Sequence, residues 1–178
     1  YIEDSSYNAA SAMIQTLKRD QLFPRRLKPA LEEMHAYLFY KNKVWDSAAH
    51  YLIPALDNAD NMAERARWEY LIAQLYALNK NTKEATAFFD RCIKHTIDPV
   101  MEVYARLNKI KLVQGDNEAK IIDEKIQQLL KMARRDKYYN YRNIIYYMAA
   151  QMEMQRNNFD AAKTWLLRSV TYNNENID

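Results

Sequence analysis

The stretch Asn81-Thr82-Lys83-Glu84-Ala85-Thr86-Ala87-Phe88-Phe89-Asp90-Arg91-Cys92-Ile93 decides how this chain folds. Ala85, Phe88, Phe89, Cys92 and Ile93 fall at i, i+3, i+4, i+7 and i+8, the apolar stripe of a helix buried on one face. Asn81 and Glu84 stand as cap and third residue of a capping box, with Asn in place of Ser or Thr, so the helix starts at Thr82. The opening of this phrase returns as Tyr7-Asn8-Ala9-Ala10, as Trp45-Asp46-Ser47-Ala48 and as Phe159-Asp160-Ala161-Ala162. Ala10, Ala48 and Ala85 are 38 and 37 residues apart, and Ala162 follows after 77, which is two steps. One copy, near 117–125, is therefore degenerate. A helical period of this length marks stacked hairpins, because one hairpin cannot bury its apolar face without the next.

Each phrase opens the second helix of a hairpin. The other stripes are Ala48, Tyr51, Leu52, Ala55 and Leu56, then Ala162, Trp165, Leu166, Ser169 and Val170, the latter with Asn158 as its cap. First helices are expected over 29–41, 61–79, 99–114 and 140–156, with Trp68, Leu71, Ile72, Leu75 and Tyr76 as the second unit's stripe around the small Ala73. Pro54 removes a backbone bond inside the helix that begins near Asp46, so that helix must kink or end early. In the third unit Gly115-Asp116 reads as the turn and 117–136, with Ile122, Ile126, Leu129 and Leu130, as the second helix. There Asp123 stands where a small residue belongs. The expectation is one all-α solenoid over 1–178: a half repeat at 5–19 and hairpins at about 29–57, 61–95, 99–136 and 140–173.

Composition removes several function classes. Gly115 is the single glycine of 178 residues, which argues against phosphate-cradling loops and tight β-turns. The net charge of +3 is too small to argue for a polyanion partner unaided. Cys92 is alone, so no disulfide or thiolate metal cluster is expected, and its place in the stripe predicts a buried, inert thiol. His35, His50 and His95 are scattered. Glu32 and His35 have the i, i+3 spacing of half a di-metal site, but no second Glu-x-x-His exists, and no nucleophile–base set can be assembled. No enzyme activity, metal or cofactor is expected. No stretch approaches the apolar length of a membrane span. The chain opens on Tyr1 and its first phrase lacks a preceding helix, so it reads as a piece of a longer repeat protein.

At these residues the chain resembles the tetratricopeptide repeat family, whose signature pairs a small residue and an aromatic on the first helix with Ala, an aromatic and a small residue on the second. The second unit carries it on Ile72-Ala73, Tyr76, Ala85, Phe89 and Cys92. The first hairpin carries Ala36, Phe39, Ala48, Leu52 and Ala55, and the last Tyr146, Ala150, Ala162, Leu166 and Ser169, with Glu153 in place of the expected aromatic. The resemblance spans most of 5–173 and implies a right-handed superhelical stack of hairpins. The runs Glu64–Tyr76 and Asp98–Asn108 further resemble the repeat region of a periplasmic lipoprotein family of the type IX secretion and gliding-motility machinery of Bacteroidota. That narrower resemblance implies a periplasmic scaffold associated with the outer membrane, with no membrane contact by this fragment although the full chain would be lipid-anchored.

The family resemblance also implies a concave groove lined by one face of each first helix. Carried onto this chain, the groove residues are Glu33, Tyr37 and Tyr40, then Arg67, Tyr70 and Gln74, then Tyr147, Gln151 and Met154. Tyrosine, present fourteen times, offers wide apolar area with a polar tip at low entropy cost, which suits a protein or peptide partner. The Lys and Asn pairs that clamp a chaperone's C-terminal carboxylate are missing from these places. The alternative is a helical-repeat module for RNA or single-stranded nucleic acid, carried by Lys131–Arg142, where cations alternate with aromatics. The opposing reading is that those cations sit at a helix C-terminus, where the dipole favours them, while the aromatics open the next helix.

Overall fold

The computed structural model describes residues 2, 6–113 and 118–174, and over these residues the chain is all-helical, with no strand among them. It divides into two compact units, residues 1–98 and 99–178. The first holds α1 (Tyr7–Arg19), α2 (Lys28–Lys41), α3 (Trp45–Ala55), α4 (Met62–Leu78) and α5 (Thr82–His95). The second holds α6 (Pro99–Lys111), α7 (Glu118–Ala133), α8 (Arg142–Gln155) and α9 (Phe159–Asn174). Within each unit every helix packs on the next in sequence, as short connections between amphipathic helices require. The Gly115-Asp116 turn lies outside the described residues.

The expected helices are present within a few residues at each end, and the anchors are in the core. Ala10, Ala48, Ala85 and Ala162 are 4%, 1%, 0% and 2% exposed, so any larger side chain at these points would have to displace a neighbouring helix. Cys92 is fully buried among Phe88 and Phe89, and burial pushes its thiol up to about 12, which leaves it protonated and unreactive at neutral pH. Pro54 stays inside α3, which gives way to a 3-10 turn at Leu56–Asn58 directly after it. The helix thus ends early, within two residues of the missing N–H.

Three of the hairpin turns are the same device. Lys43, Lys80 and Asn157 adopt φ of 60°, 61° and 62°, and each lies five residues before an anchor alanine. The next residues, Val44, Asn81 and Asn158, donate their N–H groups to Phe39, Tyr76 and Glu153 carbonyls, each at 2.9 Å. This left-handed residue with a long return bond closes a helix C-terminus and satisfies its orphan carbonyls. It also explains why the capping box of α5 is only half formed. Asn81 Oδ1 accepts from the Glu84 N–H at 3.3 Å, but the Asn81 N–H already serves the preceding helix. At α4 the Asn61 side chain caps Glu64 at 2.9 Å, and Glu64 Oε2 accepts from the Asp60 N–H at 2.7 Å.

The second unit is pinned by a buried carboxylate. Glu102 of α6 is 6% exposed; its Oε1 accepts from Tyr138 Oη at 2.9 Å and from Arg106 Nε and Nη2 at 3.0 and 2.9 Å, and its Oε2 pairs with Lys137 at 2.5 Å. The 3-10 turn Asp136–Tyr141 is thereby stapled to α6. Around it Val103, Leu107, Ile126, Leu129, Ile145 and Met148 form the core. Glu153, the residue that departs from the aromatic pattern, is 4% exposed and fully engaged by Arg156 at 2.6 and 2.9 Å and by Asn158 Nδ2 at 3.0 Å. Asn158 therefore spends its side chain on Glu153.

Candidate docking groove

In the first unit α2 and α4 flank a cleft of about 480 Å³ whose floor is Ala48 and Leu52 of α3. Its walls are Met34, Tyr37 and Tyr40 of α2 and Trp68, Leu71 and Leu75 of α4, and among the described residues Glu33 is the charged one that lines it. The hairpin turns put these residues here: closing α2 with Lys43 sends α3 back beneath it, and α4 then returns beside α2. A second cleft of about 450 Å³ lies between α1 and α2, lined by Ile14 and Leu17 and by Leu31, Met34 and Tyr37. Met34 and Tyr37 line both, so the two apolar clefts adjoin along α2, one toward α4 and one toward α1.

This paired groove is apolar and open, a combination that is informative because most monomer surfaces scatter their apolar residues. Met13, Met34 and Tyr40 are 54%, 50% and 45% exposed, and Leu71 is 37% exposed. Tyr40 is braced edge-on by Trp45, with ring centroids 5.7 Å apart, and the Lys41 ammonium lies 5.4 Å from the centre of the Tyr37 ring. Glu33 Oε2 accepts from Asn58 Nδ2 at 3.2 Å, which holds the carboxylate at one end of the wall.

Of the residues expected in the groove, Tyr37 and Tyr40 line it together. Arg67 and Gln74 are exposed on the next face of α4, while Tyr70, between them, is half-buried and edge-on to Phe89 at 5.6 Å. The α4 wall is thus Trp68, Leu71 and Leu75, about one residue further around the helix. The helical period places those three in the core stripe of the second unit. In the second unit Tyr147 faces Tyr104 across a shallower cleft of about 310 Å³ that also includes Asn143, Ile144 and Val170. Gln151 and Met154 continue the exposed line of Tyr147 along α8.

In the segment Lys131–Arg142 one aromatic is open to solvent, Tyr139 at 45% exposed, while Tyr141 is half-buried. Tyr138 is 1% exposed and hydrogen-bonded to Glu102, and Lys137 pairs with the same carboxylate. The Arg142 guanidinium lies 4.6 Å from the Tyr139 ring centre and 5.4 Å from that of Tyr172, with Nε donating to the Ala133 carbonyl at 2.8 Å. Lys137 and Arg142 are thus engaged within the fold, while Lys131, Arg134 and Arg135 are exposed. The histidines are equally dispersed: His95 Nδ1 is 2.7 Å from Glu69, His50 is edge-on to Tyr51, and His35 is buried against Phe39 and Tyr51. Among the described residues no group of three or more His, Cys, Asp and Glu side chains is placed to hold a metal ion, and no helix is long and apolar enough to cross a membrane.

Compared with known proteins, the chain matches no family model and no curated protein.

Proposed function

We propose that the chain is a non-enzymatic scaffold of tetratricopeptide-like hairpins that docks a segment of a protein partner in the paired groove along α1, α2 and α4. The observation that carries this reading is a pair of adjoining, solvent-open apolar clefts with Tyr40 braced by Trp45 on their wall. A groove of that kind buries a partner's apolar side chains with little side-chain ordering to offset the gain. The solenoid reading is supported by the hairpin turn that recurs five residues before Ala48, Ala85 and Ala162. The narrower assignment to a periplasmic secretion or motility assembly rests on the resemblance of Glu64–Tyr76 and Asp98–Asn108 alone. Nucleic acid is the disfavoured partner, because Tyr138 is buried, Lys137 is paired with Glu102 and Arg142 is stacked on Tyr139, which leaves Tyr139 as the one exposed aromatic of Lys131–Arg142.

A photo-crosslinking residue at Tyr40 or Leu71 should capture a partner that the same residue at the exposed Lys94 does not. The double change Tyr37→Ala with Leu71→Ala should then weaken retention of that partner by about a thousand-fold, from roughly 2 kcal/mol at each of two central anchors, with helicity unchanged. A folded double variant that retains the partner at parental affinity would remove the groove as the docking site.

A further inference from the structure

We propose that Lys18, Glu32 and His35 form an acid-released latch that ties α1 to α2 along the edge of the groove. Its effect on docking rests on the groove reading above; the latch itself does not. One carboxylate oxygen has two claimants. Glu32 Oε2 accepts from Lys18 Nζ of α1 at 2.6 Å and lies 3.9 Å from His35 Nδ1. That nitrogen is buried and has no hydrogen-bond partner among the described residues, and His35 as a whole is 2% exposed. The imidazole is held between rings, 3.8 Å from the centre of Tyr51 and 4.9 Å from that of Phe39. The Lys18 ammonium completes the cluster, 4.3 Å from the centre of the Tyr51 ring.

The groups facing His35 are Lys18 from α1, Glu32 from its own helix and Tyr51 from α3, with His50 edge-on to Tyr51 on the same helix. Burial, and after it the charge of Lys18, holds the imidazole below its ordinary value of 6.5, so it is neutral at pH 7.5. A proton taken from solvent turns the ring into a cation whose two N–H groups both need acceptors. Glu32 Oε2 is the carboxylate oxygen at hand. Turning toward His35, it leaves Lys18 without its partner and beside a second cation.

The hold on α1 is thin, which makes this exchange consequential. Only Ala10 and Ile14 of that helix are buried, against Leu31 and Leu38 in a cluster with Ile2. An element with so few buried contacts opens at low free energy. Leu17 and Leu31, which line the groove, directly precede Lys18 and Glu32 in sequence. Release of the latch therefore frees the α1 wall of the groove.

Amide hydrogen exchange of the intact chain, without any partner, tests the latch between pH 7.5 and pH 5.0 after correction for intrinsic rates. One proton coupled to opening changes the opening constant by up to about tenfold per pH unit. Protection of the α1 amides from Ala10 to Leu17 should fall by about that factor below the His35 transition, while that of α4 holds. His35→Gln should show a flat profile, and Lys18→Met should show weak α1 protection at both ends. In the parent chain the His35 ring signal should titrate together with the loss. A ring that charges while α1 stays protected, a ring still neutral at pH 5.0, or an unchanged drop in His35→Gln would each overturn the latch. Crosslinking at Tyr40 is read separately, so the groove can stand or fall without it.

Discussion

At the scale of single residues, the turns show where this sequence is strained and the anchors show where it has no slack. Lys43 and Lys80 hold a left-handed conformation that is roughly 1–2 kcal/mol unfavourable for a residue with a Cβ. A lysine at a helix C-terminus recovers about 0.3–1 kcal/mol from the dipole, so the strain outweighs the charge. Lys80→Gly should therefore raise stability by about 1 kcal/mol, read as a higher urea midpoint at unchanged slope. Asn157→Gly should gain less, since Asn tolerates this conformation. The anchors respond in the opposite direction. Ala85 is 0% exposed where neighbouring helices cross, and Ala85→Leu or Ala162→Leu should overpack that contact and cost about 1–3 kcal/mol. Midpoints unchanged in both alanine variants would mean that these residues do not set the helix approach.

At the scale of elements, the helices were legible because each buries one face, and the staples between them were not. The period that marks Ala85, Phe88, Phe89 and Cys92 is a direct imprint of the core, and all four are buried. The 3-10 turn Asp136–Tyr141 left no such imprint, because its register is set by Tyr138 reaching Glu102, 36 residues away. Periodicity cannot report a polar contact between distant elements. The same limit explains the α4 wall. Trp68, Leu71, Ile72, Leu75 and Tyr76 make an apolar arc wide enough to serve both the hairpin partner and the groove, and the pattern does not say which edge stays open. The Glu102 staple can be measured directly. Glu102→Ala strands the Tyr138 hydroxyl in the core and frees Arg106, so it should cost about 2–3 kcal/mol. Tyr138→Phe removes one donor while Arg106 and Lys137 still satisfy the carboxylate, and should cost about 1 kcal/mol. Negligible losses in both variants would mean that packing of the ring, which Tyr138→Phe keeps, and not the carboxylate, holds the turn.

At the scale of the whole molecule, the two units carry different acid sensitivities, because each buries a different titratable group. In residues 1–98 His35 is held below 6.5, by burial first and Lys18 second, so the unfolded chain binds this proton more readily than the folded one. Stability from that difference is complete above pH 6.5 and is lost as pH falls from there through the folded value. In residues 99–178 burial would raise the Glu102 carboxyl, but the hydrogen bonds from Lys137, Tyr138 and Arg106 prevail and hold it below 4.5. Its contribution is complete above pH 4.5 and is lost only as pH falls further through the folded value. The windows do not begin together. Acid titration followed segment by segment should therefore loosen 1–98 before 99–178. His35→Gln should remove the pH dependence that begins near 6.5 and leave the step below 4.5 in place, whereas Glu102→Gln should lower stability at neutral pH and flatten that lower step. If His35→Gln and the parent lose stability in parallel from pH 7 to pH 5, a different group governs the first window, and the buried histidine serves only to fill the space between Phe39 and Tyr51.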